Sequence, residues 1–214
     1  MPGKTTTSHK QQRPAKQAVS TRDQGTAWHS RVSAGEHILE VDDLGISLAE
    51  TGRPVVQDVN LNLMAGEILG LVGESGSGKT TVGLALLGHV RRGLVHSGGE
   101  VYLYASHSDQ PVEMMTLDEA SKRSLRGARV SYIPQDPALS LDPGMRVGKQ
   151  IREVLDVHDY GSADHDRDQR VRSVLREVGL PDDDSYQRRW PHQLSGGQQQ
   201  RIGIAMAFVM YPDV

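Results

Sequence analysis

The sequence contains no cysteine. Disulfide bridges and thiolate-held metals are therefore excluded, which suits a reducing compartment. Apolar runs are short as well. Nothing approaches the ~18 uninterrupted apolar residues of a membrane-spanning helix, and mean hydropathy is −0.48. Neither sign of charge dominates: 24 Lys and Arg stand against 27 Asp and Glu, a formal net charge of −3 in 214 residues. A chain so balanced has no global basic field of the kind that makes nucleic acid a main partner. Lys4, Lys10 and Arg13 have no apolar stretch behind them, so the N-terminus does not read as a secretory signal. A role at a membrane would be that of a soluble, peripheral subunit.

Residues 1–35 are rich in Thr, Ser, Gln, Lys and Gly and nearly free of apolar side chains. Too little surface can be buried there to offset the entropy of ordering, so this stretch is expected to be a disordered tail. A basic arm touching lipid headgroups is the less favoured alternative. The folded part is expected from residue 36 to Val214.

Its apolar pattern begins with Val41, Leu44, Ile46 and Leu48, a broken alternation, and continues with the clean alternation Val59, Leu61, Leu63. These predict two strands joined by a turn at Thr51-Gly52-Arg53-Pro54. The run Ile68-Leu69-Gly70-Leu71-Val72 suits a strand buried on both faces. Thr80–Leu87, closed by Gly88, predicts a helix. Val101 and Leu103 suggest another strand. Thr116 with Glu119 reads as a capping box opening a helix from Leu117 to about Leu125. Val130–Ile133 suggests a strand ending at Pro134, and Val147–Val157 a helix. The stripe Val171, Val174, Leu175, Val178, closed by Gly179 and Pro181, predicts a further helix. The mostly apolar segment around Ile202–Val209 predicts a buried one. Together they predict an α/β fold with an antiparallel part on its N-terminal side and a helical insert at about 136–195.

Between the buried run and the first helix lies Gly73-Glu74-Ser75-Gly76-Ser77-Gly78-Lys79-Thr80, a full match to G-x-x-x-x-G-K-[ST]. Glycines let the backbone curl until successive N–H groups converge on phosphate oxygens, while the following helix presents its positive end to the same anion. Lys79 can then reach the β- and γ-phosphates and the Thr80 hydroxyl can ligate Mg²⁺, with Thr81 a further α-phosphate contact. The bland alternative is a glycine-rich turn, but an apolar run before the loop and a helix after it are what the phosphate-binding chemistry demands. On these residues alone ATP and GTP remain equivalent.

A second motif, Leu194-Ser195-Gly196-Gly197-Gln198, can be read as a helix cap and anion nest. Lying about a hundred residues beyond a complete phosphate loop, with Gln135 between them, it resembles the signature of ABC-type ATPases. The stretches Tyr132-Ile133-Pro134-Gln135-Asp136-Pro137-Ala138-Leu139-Ser140-Leu141-Asp142-Pro143, Val147–Ile151 and Trp190-Pro191-His192-Gln193 are similar to those of the ATP-binding subunits of peptide and nickel importers. The resemblance covers about Ile38 to Val214.

That resemblance implies a P-loop NTPase fold of the ABC type and the pair ATP and Mg²⁺ at residues 73–81. Gln135 would help ligate Mg²⁺ and couple the nucleotide to a transmembrane partner. Ser195, Gly196, Gly197 and Gln198 would act on the nucleotide of a second ATP-binding subunit in a head-to-tail dimer. The helical insert would face a membrane permease, placing the protein peripherally on the cytoplasmic face of the membrane with no nucleic-acid partner. Two departures from the family pattern stand out. Leu48 occupies the place nearest to the aromatic that stacks on adenine, so base stacking there is expected to be weak or replaced by apolar contact. After Met210-Tyr211-Pro212-Asp213-Val214 the family continues into a Walker B strand with an Asp for Mg²⁺ and a water-polarising Glu, then a D-loop and a catalytic His. None is in these 214 residues, so no catalytic residue is assigned and this chain by itself, read as a fragment, is expected to be unstable and not to turn over ATP. The competing readings are a soluble, non-transport ABC ATPase and a non-hydrolysing nucleotide binder.

Overall fold

A computed structural model describes residues 35–104, 110–136 and 140–214. The expected tail lies outside these residues except at its last position, as do 137–139 of the Gln-Asp-Pro stretch.

The first two strands form as the alternation predicts. β1 (His37–Leu48) and β2 (Pro54–Met64) pair antiparallel across a turn in which Gly52 takes φ +67°. The broken alternation in β1 is a bulge. Leu39 and Val41 face the core, the ladder slips at Asp42–Asp43, and Leu44 and Ile46 then take over the same face. Asp43 adopts φ +50°, and Asn60 holds the kink by accepting its N–H at 2.9 Å and donating to its carboxylate at 3.0 Å. The partner strand β3 (Leu94–Leu103) presents Gly99 there, where a Cβ would stand 2.3 Å from the Asp43 carbonyl. With β4 (Val112–Glu113) the sheet runs β2-β1-β3-β4, antiparallel throughout.

α1 (Lys79–Ala85) and α2 (Glu119–Leu125) cover this sheet, adding Val82, Ala85 and Leu125 to a core of Leu39, Leu44, Ile46, Val101 and Leu103. Gly88 ends α1 at φ +63°, and Arg126 at the end of α2 donates to the Leu87 and Gly88 carbonyls at 2.8 and 3.0 Å. The start of α2 corrects the expectation. Its cap is Asp118, whose carboxylate accepts the Ser121 N–H at 2.9 Å, while the Thr116 N–H is taken by Glu113.

A second core belongs to helices alone. α3 (Val147–Val157), α4 (Asp164–Glu177), α5 (Asp184–Gln187) and α6 (Gly196–Phe208) enclose Ile151, Leu155, Val174, Leu175, Tyr186 and Ile202. Arg152 ties α3 to Asp164 and Asp168 of α4. Among the described residues no helix is long and apolar enough to cross a membrane.

Two expected strands do not form. Residues 68–72 belong to no helix or strand ladder, and Ile68 and Val72 are 96% and 93% exposed. Among the described residues no strand pairs with them, and a segment without a ladder leaves its N–H and C=O groups to water. Residues 130–133 get only a beginning. The Arg129 carbonyl accepts from Val214 at 3.2 Å and the Val214 carbonyl accepts from Ser131 at 2.8 Å, the staggered bond pair of a parallel ladder. The Arg129–Asp213 ion pair at 3.0 Å fastens this crossing, but Tyr132 and Ile133 run on exposed.

Candidate functional site

The loop at residues 73–80 curls because glycine stands where the backbone must turn left-handed, with φ +83° at Gly76 and +90° at Gly78. Gly78 has a second reason to lack a side chain. A Cβ there would lie 2.4 Å from Cγ1 of Val56, so the loop is seated directly on β2. Inside the curl the Lys79 ammonium donates to the carbonyls of Gly73 and Glu74 at 2.8 and 2.6 Å and to Oγ of Ser77 at 3.3 Å. Gly78 caps α1 without a side-chain bond, so the first N–H groups of the helix are not capped from within. A loop that gathers a cation and uncapped N–H donors fits a nucleotide's phosphates.

The fit for Mg²⁺ is a different question. No group of three or more His, Cys, Asp or Glu side chains is placed to hold a metal among the described residues. A cation here would depend on the Thr80 hydroxyl, an amide oxygen and the phosphates themselves, a hard-oxygen set that suits Mg²⁺ bound mainly through its nucleotide. Thr80 opens α1 directly after Lys79, with Thr81 behind it. Gln135 is exposed in the bend after Pro134 and makes no hydrogen bond to the phosphate loop among the described residues.

Beside the loop, Pro54, Val55, Val56, Gln57, Val59 and Ser77 line a cavity of about 410 Å³. Its aliphatic wall comes from β2, not from Leu48, which sits half-exposed at the end of β1.

Ser195, Gly196, Gly197 and Gln198 open α6. Ser195 is the N-cap, and residues 195–197 are exposed. Gln199 draws in the preceding turn, donating to the carbonyls of Pro191 and Leu194 at 2.8 and 3.2 Å. No hydrogen bond or ion pair joins this corner to the phosphate loop among the described residues. Among the described residues, hydrogen bonds from Lys79 gather the loop on itself, and none joins Gln135 or Ser195–Gln198 to it.

Sequence reasoning missed Arg170, which lies 3% exposed in the helical core. Its signal was present, since Arg170, Val174 and Glu177 share one helix face at i, i+4 and i+7 and put opposite charges on an otherwise apolar stripe. Burial of the Glu177 carboxyl pushes its pKa up, but hydrogen bonds from Arg170 and Ser173 and the charges of Arg170 and Arg176 outweigh this and leave it lowered.

Comparison with known proteins agrees with this geometry. The family profile described as ABC transporter matches residues 56–214. The oligopeptide transport ATP-binding protein OppD of Lactococcus lactis is 35% identical over 181 residues, 84% of this chain and 52% of its own length. OppD of Salmonella typhimurium is 40% identical over 179 residues, covering 83% and 51%. The dipeptide transport protein DppD of Haemophilus influenzae is 38% identical, covering 83% and 52%. The chain spans about half the length of these curated relatives. Among solved structures, a dimeric bacterial ABC transporter cassette superposes with a TM-score of 0.66 at 24% identity, covering 82% of this chain and 71% of that one. The cbiO1 protein of Clostridium perfringens gives 0.63 at 22%, covering 83% and 63%. A phosphate loop seated on an antiparallel sheet, a serine-capped Ser-Gly-Gly corner on a separate helical core, and a family match across three quarters of its length place this chain in the ABC transporter family.

Proposed function

We propose that this chain is the nucleotide-binding part of an importer's ATP-binding subunit, coupling ATP binding and hydrolysis to uptake of a small solute. A peptide is the first choice of solute, since the relatives above are named for oligopeptide and dipeptide transport, and nickel the second. The observation that carries the reading is the Lys79 ammonium held inside a loop that only glycine at position 78 allows to sit on β2.

In this reading the N–H groups from Gly73 to Thr80 and the Lys79 ammonium hold the phosphates, and the adenine rests on the aliphatic cavity wall at Val55, Val56 and Val59. Aliphatic contact there takes the place of aromatic stacking. Thr80 and Gln135 supply oxygen ligands to Mg²⁺, which when bound neutralises phosphate charge. Ser195, Gly196 and Gly197, exposed and away from the chain's own loop, close over the nucleotide of a second ATP-binding subunit, and Gln198 steadies them. The helical core of α3 to α6 faces the membrane permease, and the protein sits peripherally on the cytoplasmic side. Hydrolysis is proposed for the whole protein. We assign no catalytic residue within these 214 positions.

The test is binding of Mg-ATP to the purified protein, with and without Lys79→Ala, followed by co-sedimentation with membranes carrying the permease. Tight Mg-ATP binding lost in the variant, together with membrane association, is expected. Undiminished binding in Lys79→Ala overturns the nucleotide assignment. Salt-sensitive binding to nucleic acid in place of membrane association overturns the importer assignment.

A further inference from the structure

The last turn of α6 ends in a bonding pattern that its sequence does not announce. A helix leaves its final carbonyls without intrahelical donors, and its C-terminus carries partial negative charge. Here the Tyr211 N–H donates to the Phe208 carbonyl at 3.0 Å, and a side chain from another helix supplies the rest. Arg170 of α4 donates through Nε to the Val209 carbonyl at 2.7 Å and through Nη2 to the Phe208 carbonyl at 2.9 Å. Nη1 donates to Glu177 at 2.6 Å, and the guanidinium lies 3.6 Å from the centre of the Tyr211 ring. With its side chain 2% exposed, the cation has no room to exchange these partners for water.

We propose that Arg170 is a positioning residue for the Ser195–Gly197 corner, holding the far end of α6 so that its near end points where a neighbouring subunit's nucleotide lies. The inference rests on the functional reading above. The lever is geometric. α6 is 13 residues long, about 20 Å at 1.5 Å per residue, so a tilt of about 10° about the Arg170 end moves the Ser195 end by about 3 Å. Displacements of ~1 Å in positioned groups already cost about a hundredfold in rate. Ile202 and Ala205 of α6 share a core with Val174 and Leu175 of α4, but that apolar packing is non-directional, and among the described residues the further hydrogen bond here, Arg201 donating to the Gly179 carbonyl at 3.1 Å, is single and exposed.

Mixed dimers of the full-length protein separate positioning from folding. Each subunit carries its own affinity tag and dye, and Mg-ATP-driven closure is read as energy transfer. In a control pair, Lys79→Ala and Ser195→Arg are placed either on opposite subunits, which leaves one complete site, or together opposite a wild-type subunit, which leaves none. The test pair replaces Ser195→Arg by Arg170→Met. With the changes on opposite subunits, half-saturating ATP is expected within threefold of the Lys79→Ala/wild-type dimer. With both on one subunit it is expected at least tenfold higher. Arg170→Lys should recover part of this difference, and Glu177→Gln, which keeps the arginine, should show a smaller one of the same sign. Equal closure in the two test arrangements, beside a control that differs, overturns the inference and leaves a folding role. Equal closure in the control arrangements overturns the head-to-tail reading and this inference with it.

Discussion

Gln198 turns its side chain back onto Ser195, accepting the Ser195 N–H at Oε1 at 3.0 Å, while the Ser195 hydroxyl accepts the Gln198 N–H at a longer 3.4 Å. The two residues form a reciprocal capping box, so within the chain the motif's polar side chains are spent on holding the start of α6. Replacing Ser195 by Ala should cost about 0.5–2 kcal/mol of stability, read as a lowered unfolding midpoint in urea. Affinity of the same subunit's phosphate loop for Mg-ATP should stay unchanged, because no bond links the two. A large loss of that affinity in isolated subunits would contradict the separation of the two corners.

Glycines 78 and 83 should behave in opposite ways. Gly78→Ala demands φ +90° of an alanine and drives its Cβ to 2.4 Å from Val56, so a loss of about 1–3 kcal/mol and impaired nucleotide binding are expected. Gly83 lies inside α1 with nothing within 4 Å of an added Cβ. Gly83→Ala should therefore stabilise by about 0.5–1 kcal/mol and leave binding intact. Thermal unfolding with and without Mg-ATP distinguishes them.

Lys79→Ala removes the one ammonium inside the loop. A charge-assisted bond is worth about 1.5–3 kcal/mol, so Kd for Mg-ATP should rise roughly tenfold to a hundredfold with little change in the folded baseline. Titration calorimetry on both proteins checks it.

Acid should loosen the seam between α4 and α6. The Glu177 carboxyl, raised by burial but lowered more by its bonds to Arg170 and Ser173 and by neighbouring arginines, ends below its ordinary value of 4.5. A carboxyl depressed on folding lends stability that is complete above its unfolded value and fades as pH falls through the folded one. Unfolding midpoints should thus decline below about pH 5, and more shallowly in Glu177→Gln. Identical slopes for the two proteins would remove Glu177 from the account.

The 214-residue chain should bind a hydrophobic dye and associate in a concentration-dependent way, since Ile68 and Val72 stand almost fully exposed in a segment with no strand neighbour among the described residues. Ile68→Ser with Val72→Ser should reduce both effects without lowering the unfolding midpoint. A lowered midpoint would mean that these side chains are packed in solution.

Local chemistry was legible without a structure. The glycine-driven curl at 73–80, the serine cap at 195, the span of α3 and the glycine that ends α1 follow from spacing and backbone preference, which act over a few residues. Even the broken alternation of β1 was visible, although the bonds from Asn60 and the room left by the facing Gly99 belong to the tertiary structure. The cap of α2 went astray by two residues because Thr116 and Asp118 both offer a capping oxygen and the contest turns on where Glu113 reaches.

What tertiary structure alone decided was which segments found neighbours. The apolar run at 68–72 has the composition of a buried strand, yet a strand is a property of two segments, and no partner stands beside this one among the described residues. Arg170 makes the opposite case. Its place on an apolar helix face was visible in the sequence, but its partner was not: α6 arrives from 39 residues away to present the Val209 carbonyl. Spacing along a chain fixes what a residue can offer; the folding of distant segments against it fixes what that offer meets.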